Sequence, residues 1–220
     1  VFSQASVDTC VFITTKASAN TKGKLKVFKV DEAFEPRSIG LVEQASFTAN
    51  PRADFILDVS ASDKKLIQKI QAQSRPLGDS YGAYFGIQAW DRKKHVAEKK
   101  LNKSYQPVVD GADIESFGLR SQSLFVLFTP EGVKSGGNET IHQQDRICIR
   151  QVGHYPIATV VPGGLFAMNS LYNAYKRDSN AADLYFVLGV MNSHLNRYFW
   201  GKVHSDQKKT FPKIKKEAIL

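Results

Sequence analysis

Residues 146–151 read RICIRQ. Apolar and polar side chains alternate with period two. The stretch therefore reads as a strand with Ile147 and Ile149 on one face and Arg146, Cys148 and Arg150 on the other. Downstream, Pro156–Val161 reads as another strand, ended by Pro162-Gly163-Gly164. Upstream, Ser123–Thr129 (SLFVLFT) reads as a buried strand stopped by Pro130, and Ser135–Asn138 (SGGN) as a turn. Residues 181–200, AADLYFVLGVMNSHLNRYFW, form the clearest helix. Leu184, Leu188, Met191, Leu195 and Phe199 recur at helical spacing, an apolar stripe suited to a core. Ser179 or Asn180 can cap it.

The upstream half is more broken. Thr9–Thr15 (TCVFITT) is β-branched and apolar, and Lys24–Val30 (KLKVFKV) alternates Lys with apolar residues. The two read as a β-hairpin around the polar stretch Ala17–Gly23. Lysines on such a strand also guard an edge against aggregation. Residues 31–61, with Pro36 and Pro51, read as a linker with short helical or strand pieces. Ser62 can cap a helix over Asp63–Gln73, with Leu66, Ile67 and Ile70 on one face; Pro76 and Gly78 end it. Tyr81–Trp90 (YGAYFGIQAW) reads as an aromatic strand whose glycines, Gly82 and Gly86, mark a bulge or a close backbone approach. Asp91–Lys103 is too charged for a core and reads as a long loop leaving that strand. Several strands, one strong and one shorter helix, and no βαβ rhythm predict an α+β fold.

A chain of 220 residues can bury about 70% of its unfolded surface, so its core needs no disulfide or metal staple. Two cysteines, Cys10 and Cys148, are too few for a disulfide scaffold, a zinc ribbon or a four-cysteine iron–sulfur site. The longest strongly apolar run, Phe186 to Met191, is far short of the roughly 20 residues that span a bilayer. A start at Val1, without a charged n-region, reads as a cytoplasmic piece of a longer polypeptide rather than a secreted protein. The net charge of +9 is concentrated. Residues 1–30 carry +4, residues 91–103 carry +4 and residues 197–220 carry +5, while the intervening stretches are slightly acidic. Such clusters suit phosphate binding, or solubility at loops and ends.

Motifs for chemistry are sparse. His95, His142, His154, His194 and His204 show no metal-ligand spacing, and no nucleophile elbow, phosphate loop or dinucleotide fingerprint occurs. No residue is assigned a catalytic or metal-binding role. An acid, a strand and an acid-x-Lys pair can hold a divalent ion in nucleases, and Asp79, Tyr81–Trp90, Asp91 and Lys93 fit that outline. Acid-x-Lys recurs at Asp63, Glu98 and Asp206, so chance supplies it freely here. The Asn50-Pro51-Arg52-Ala53 stretch lacks the second proline and the aromatic of an adenine-N6 methyltransferase loop.

Seven stretches together resemble a known family. Val7–Ile13 resembles the strand near the end of the catalytic domain in TaqI-like adenine methyltransferases. Phe85–Asp91 is similar to the G-I-x-T-G segment of the specificity region after it, with Ala89-Trp90 in place of Thr-Gly. Val109–Ile114 resembles L-R-G-x-D-I, and Arg146–Gln151 with Ile157–Thr159 resembles K-I-x-x-R-Q … A-T. Asn169–Tyr172 matches N-x-x-Y, Leu188–Ser193 matches L-x-x-L-N-S, and Phe211–Ile214 matches F-P-x-I. The family is the TaqI-like C-terminal specificity domain of type II restriction–modification enzymes.

The resemblance implies a mixed, largely antiparallel twisted sheet with flanking helices. It implies residues 1–30 as a hairpin from the end of a methyltransferase domain, 31–75 as linker and helix, and 76–220 as the DNA target recognition domain. The parent would methylate adenine N6 with S-adenosylmethionine, with Mg2+ needed if it also cuts. This fragment would hold no cofactor. Its partners would be double-stranded DNA and the upstream methyltransferase domain, not a membrane.

A DNA reader needs cations for phosphates and paired donors and acceptors for base edges. Gln88 suits an adenine edge and Arg92 a guanine edge, while Trp90 suits a base, sugar or thymine methyl. Lys93, Lys94, Lys99, Lys100 and Lys103 suit phosphates. Arg150, Gln151 and His154 are further candidates, and Lys208 and Lys209 join Ser205 as a phosphate clamp. Asn192 and Ser193, poor helix formers, are expected to bond a neighbouring loop rather than DNA. The remaining alternative is a protein-interaction module using the 181–200 helix and the N-terminal hairpin.

Overall fold

The computed structural model describes residues 10–16, 22–31, 33–48, 61–120, 124–204 and 211–220. The chain divides into two compact units, Val1–Gln68 and Lys69–Leu220.

In the first unit, Lys24–Val30 pairs antiparallel with Pro36–Glu43. This corrects the expected hairpin. The described residues of its first arm, Cys10–Thr15, are exposed and form no strand. Asp31 makes the real turn: its carboxylate accepts from the Ala33 and Glu35 N–H groups, both at 3.0 Å, an Asx-type closure. Pro36 is tolerated because it is the first residue of its strand. Val27, Val42 and Phe47 form a small core. The helix Ala61–Ala72 lies where Asp63–Gln73 was expected, with Ile67 buried but Leu66 exposed.

The second unit is α+β, as the element pattern requires. Four antiparallel strands lie in the order Ala158–Val161, Arg146–Arg150, Leu171–Lys176 and Tyr81–Phe85. A mixed sheet runs Phe166–Ala167, Tyr105–Val109, Leu124–Leu127 and Val96–Ala97, with the first pair parallel. The first sheet is covered on both faces. Ile147 and Ile149 share a core with Val187, Leu188, Met191 and Trp200 from two helices, Leu184–Asn192 and His194–Val203. On the opposite face, Cys148 packs with Val109, Ile114, Val161, Ala167 and Leu171.

The face expected to carry Arg146 and Cys148 is therefore interior too, and Arg146 is wholly buried. Its guanidinium is satisfied by acceptors gathered from three segments. Nε donates to Asn173 Oδ1 at 2.7 Å and Nη2 to the Leu165 carbonyl at 2.7 Å. Nη1 donates to the carbonyls of His142 and Gln144 at 3.3 Å and of Pro162 at 3.4 Å. Nη2 also faces His142 Nδ1 at 3.4 Å, while His142 Nε2 lies 2.9 Å from the Gly136 carbonyl. Those contacts assign the neutral imidazole: Nε2–H donates to Gly136 and Nδ1 accepts from Arg146. Burial, against the help of the Gly136 contact and together with the Arg146 charge, lowers the His142 pKa to about 4.

The expected single helix over 181–200 is two helices. Ser193, in an extended conformation, ends the first, and its hydroxyl caps the second by accepting from the Asn196 N–H at 3.1 Å. Asn196 Nδ2 donates to the freed Met191 carbonyl at 2.8 Å. The break rotates the expected stripe, leaving Leu195 exposed and bringing Trp200 into the core. Asn192 pairs twice with the Ala158 backbone, donating to its carbonyl at 2.9 Å and accepting from its N–H at 3.2 Å. The expectation that Asn192 serves the fold holds, the partner being an edge strand rather than a loop.

Arg146→Ala leaves several interior acceptors without a donor, each worth about 1–3 kcal/mol, and should cost roughly 3–5 kcal/mol in urea unfolding. His142 adds a pH dependence. Its folded pKa lies below the ordinary value near 6.5, so the unfolded chain binds the proton first. Its stabilising contribution is complete above about pH 6.5 and is lost as pH falls towards 4. Urea midpoints should drop through that window, and His142→Asn should flatten the drop.

Candidate functional site

The aromatic stretch 81–90 is not one strand. Tyr81–Phe85 belongs to the antiparallel sheet, and the chain then crosses at Gly86 to Gln88–Ala89, which pairs with Val133–Ser135. A Cβ at Gly86 would drive into the Met168 carbonyl oxygen, so the close approach expected from its glycine is present. The short ribbon holds two candidate readers. The Gln88 side-chain oxygen accepts from the Ser135 hydroxyl at 3.3 Å. Trp90 is 60% exposed, with Nε1 donating to the Pro130 carbonyl at 3.2 Å and Lys134 Nζ 5.5 Å from its ring centroid. Lys134 carries no motif in the sequence; only the ribbon pairing brings it beside Trp90.

The basic run after Trp90 is more structured than a loop. Asp91 caps the short helix Arg92–His95, accepting from the Lys93 N–H at 3.0 Å. Lys94 lies 3.7 Å from the same carboxylate. Val96–Ala97 and Tyr105–Val109 then pair with opposite edges of Leu124–Leu127. The intervening loop, with exposed Lys99, Lys100 and Lys103, thus leaves and re-enters one sheet.

Arg92 Nη2 pairs with Asp110 Oδ2 at 2.5 Å. Asp110 also accepts from the Ser170 hydroxyl and, at 2.8 Å, from the Gly111 N–H. Burial opposes its ionisation, but these donors and Arg92 outweigh burial and hold its pKa below the ordinary aspartate value. The Ser170 carbonyl accepts from the Gln151 N–H at 2.9 Å, and Leu171 pairs with Arg150. Ser170 therefore brings the Arg92 segment and the Arg150–Gln151 segment to one end of the sheet. Gln151 is engaged within the fold, donating Nε2 to the Leu171 carbonyl at 3.1 Å. Arg150 is half-buried, and His154 is exposed in the next turn. Tyr155 lies under the Arg197 guanidinium at 3.7 Å. Lys208 and Lys209 lie outside the described residues.

The nuclease outline finds no support. Asp91 is engaged in capping, and among the described residues no group of three or more His, Cys, Asp or Glu side chains could hold a metal ion. Cys148 is buried, which pushes its thiol up to about 11, away from reactivity.

The family model described as the TaqI-like C-terminal specificity domain matches residues 106–220, just over half of the chain. The chain belongs to this family. It is a specificity domain of the restriction–modification type, a module of DNA sequence recognition. Comparison with curated proteins finds no match. Among solved structures, the HsdS subunit from Thermoanaerobacter tengcongensis is similar, at 14% identity and a TM-score of 0.39. The likeness covers 71% of this chain and 40% of that one, so this chain spans less than half of the HsdS subunit's length.

Two resemblance stretches of the specificity domain meet in space: Asp110–Asp113 forms a capping box, and Ser170, from Asn169–Tyr172, closes on it. The basic segment 88–103 precedes the matched residues, and strand pairing with 124–127 and 133–135 ties it to them. No helix among the described residues of the specificity domain is long and apolar enough to cross a membrane.

The two tryptophans give an optical test of this geometry. Trp90 is 60% exposed and Trp200 only 4%. Iodide should quench about half of the tryptophan emission, and Trp90→Phe should remove nearly all of the quenchable part. The carboxylate gives a second test. Asp110, with its folded pKa lowered, stabilises the fold above its unfolded value of about 4, and loses that contribution as pH falls through the folded value. The melting-temperature gap between wild type and Asp110→Asn should be full at pH 7 and shrink below about pH 4.

Proposed function

We propose that this specificity domain reads duplex DNA through the Gln88–Lys103 segment and the Lys134 ribbon beside it. In this reading Lys93, Lys94, Lys99, Lys100, Lys103 and Lys134 meet phosphates, and Gln88, Trp90 and Arg92 meet the groove. Arg150 and His154 supply flanking contacts from the next strand end, and Lys208 and Lys209 supply a further phosphate clamp. The partner is an adenine-N6 methyltransferase domain of the same polypeptide. It uses S-adenosylmethionine on an adenine flipped from the held duplex, in the cytoplasm. Mg2+ enters only if that polypeptide also cuts.

The observation that carries this reading is the framing of the positive segment. A loop of solubility lysines has no need of two sheets. Here strand pairings fix the segment at Gln88–Ala89, Val96–Ala97 and Tyr105–Val109, with an exposed Trp90 among its cations. Exposed aromatic and guanidinium groups on a rigid frame suit recognition, because little side-chain entropy is lost on contact.

The test is binding of a fluorescent duplex over a salt series. Affinity should fall steeply with salt, with a slope of about −0.9 per phosphate contact. Alanine at Lys93, Lys94, Lys99, Lys100 or Lys103 should each reduce that slope by about one and weaken all sequences alike. Affinity that ignores salt, or a slope that no such substitution changes, contradicts the reading.

A further inference from the structure

Arg92 and Asp110 look at first like an ordinary surface ion pair, which contributes little to stability. The Arg92 side chain is 52% exposed and that of Asp110 only 21%. What sets the pair apart is the number of groups that hold the carboxylate. Asp110 Oδ1 takes the Ser170 hydroxyl and the Gly111 N–H, while Oδ2 takes Arg92. The Gly111 N–H also reaches Ser170 Oγ at 2.8 Å. The Asp110 N–H donates to Asp113 Oδ2 at 2.7 Å, closing the capping box. The carboxylate is thus fixed from its own turn and from the strand entry at Ser170.

The guanidinium it holds is engaged through one nitrogen, Nη2. Five N–H donors lie in the rigid guanidinium plane, and the ion pair uses one. The other donors have no hydrogen-bond partner among the described residues, on a side chain that is half-exposed and followed by two exposed cations, Lys93 and Lys94. A planar donor fork, fixed on one side and open on the other, matches a partner with two adjacent acceptors. In the major groove, guanine presents such a pair at O6 and N7.

We propose that Asp110, fixed by Ser170, is a positioning residue that orients the Arg92 guanidinium to read a guanine in the recognised site. The assignment rests on the DNA-reading function proposed above. It makes Arg92 the specificity-determining residue of the basic segment, and Asp110 a residue that acts through it without touching the base. Orientation in advance lowers the entropy lost on contact, and lysine cannot replace the fork because it offers a point charge.

The test selects bound duplexes from a random pool and sequences them, for wild type, Arg92→Lys, Asp110→Asn and Ser170→Ala, with melting and salt dependence measured alongside. Wild type should enrich a motif containing guanine at one position. Arg92→Lys, which keeps the charge and removes the fork, should reduce preference at that position by about tenfold or more and leave the other positions intact. Asp110→Asn should reduce preference at the same position, and Ser170→Ala should do so to a smaller extent, both with the wild-type salt slope.

A wild-type motif without guanine overturns the assignment, as does a guanine preference that survives Arg92→Lys. Uniform weakening at every position in Asp110→Asn, with only a lower melting temperature, assigns Asp110 a structural role and also overturns it. In each of those cases DNA reading itself stands. If wild type enriches no motif, the DNA-reading function fails and this assignment fails with it.

Discussion

The constraint on which the second unit depends is the buried guanidinium of Arg146. A charged fork in a sheet interior is tolerable only if its donors find acceptors. Here they come from Asn173 on the adjacent strand, from the His142–Gln144 connection and from the Pro162–Leu165 turn. Satisfying one side chain fixes the relation of two strands and two connections. It also sets His142, which stacks on Phe166 at 4.8 Å and carries the arrangement into the core of the mixed sheet. The apolar residues supply most of the stabilising burial, and Arg146 supplies the geometry.

From that frame the positive surface arises. The chain leaves the antiparallel sheet at Phe85 and passes through Gly86 into the Gln88–Ala89 ribbon. The Gly86 N–H donates to the Leu171 carbonyl at 3.0 Å and the Ile87 N–H to the Ala167 carbonyl at 2.7 Å, so the crossing is tied to both sheets. The cationic turn and loop emerge just beyond that crossing. Ser170, one residue before Leu171, holds Asp110 and through it Arg92.

Where the sequence was legible, the signal was local. Period-two alternation located the strands at 24–30 and 146–150, a β-branched and aromatic apolar run located the one at 124–127, and an apolar stripe located the helix at 61–72, with Ser62 inside the helix rather than capping it. Gly86 announced a close approach, and Asn192 announced a bond to a neighbouring element. Strand pairing was not legible. Nothing in TCVFITT says that Lys24–Val30 will pair with the other side; the Asp31 turn decides that, and its side-chain closure is weak in composition. The 181–200 periodicity hid the break at Ser193, because a single capping residue interrupts the helix without disturbing the apolar spacing in the sequence, and the residues beyond it are rotated so that Trp200 rather than Leu195 is buried. The candidate site divides in the same way. Gln88, Trp90, Arg92 and the lysines stand out by type, whereas Lys134, Ser135, Asp110 and Ser170 acquire their roles only from strands that the fold brings together.

The central claim is that DNA lies on the Gln88–Lys103 face rather than on the helix pair. Amide hydrogen exchange of the chain, with and without a bound duplex, tests it most directly. The account predicts slowed exchange at 88–103, at 133–135 and in the turn after Arg150, with 184–203 unchanged. Protection on 184–203, with exchange at 88–103 unaltered by DNA, would contradict it.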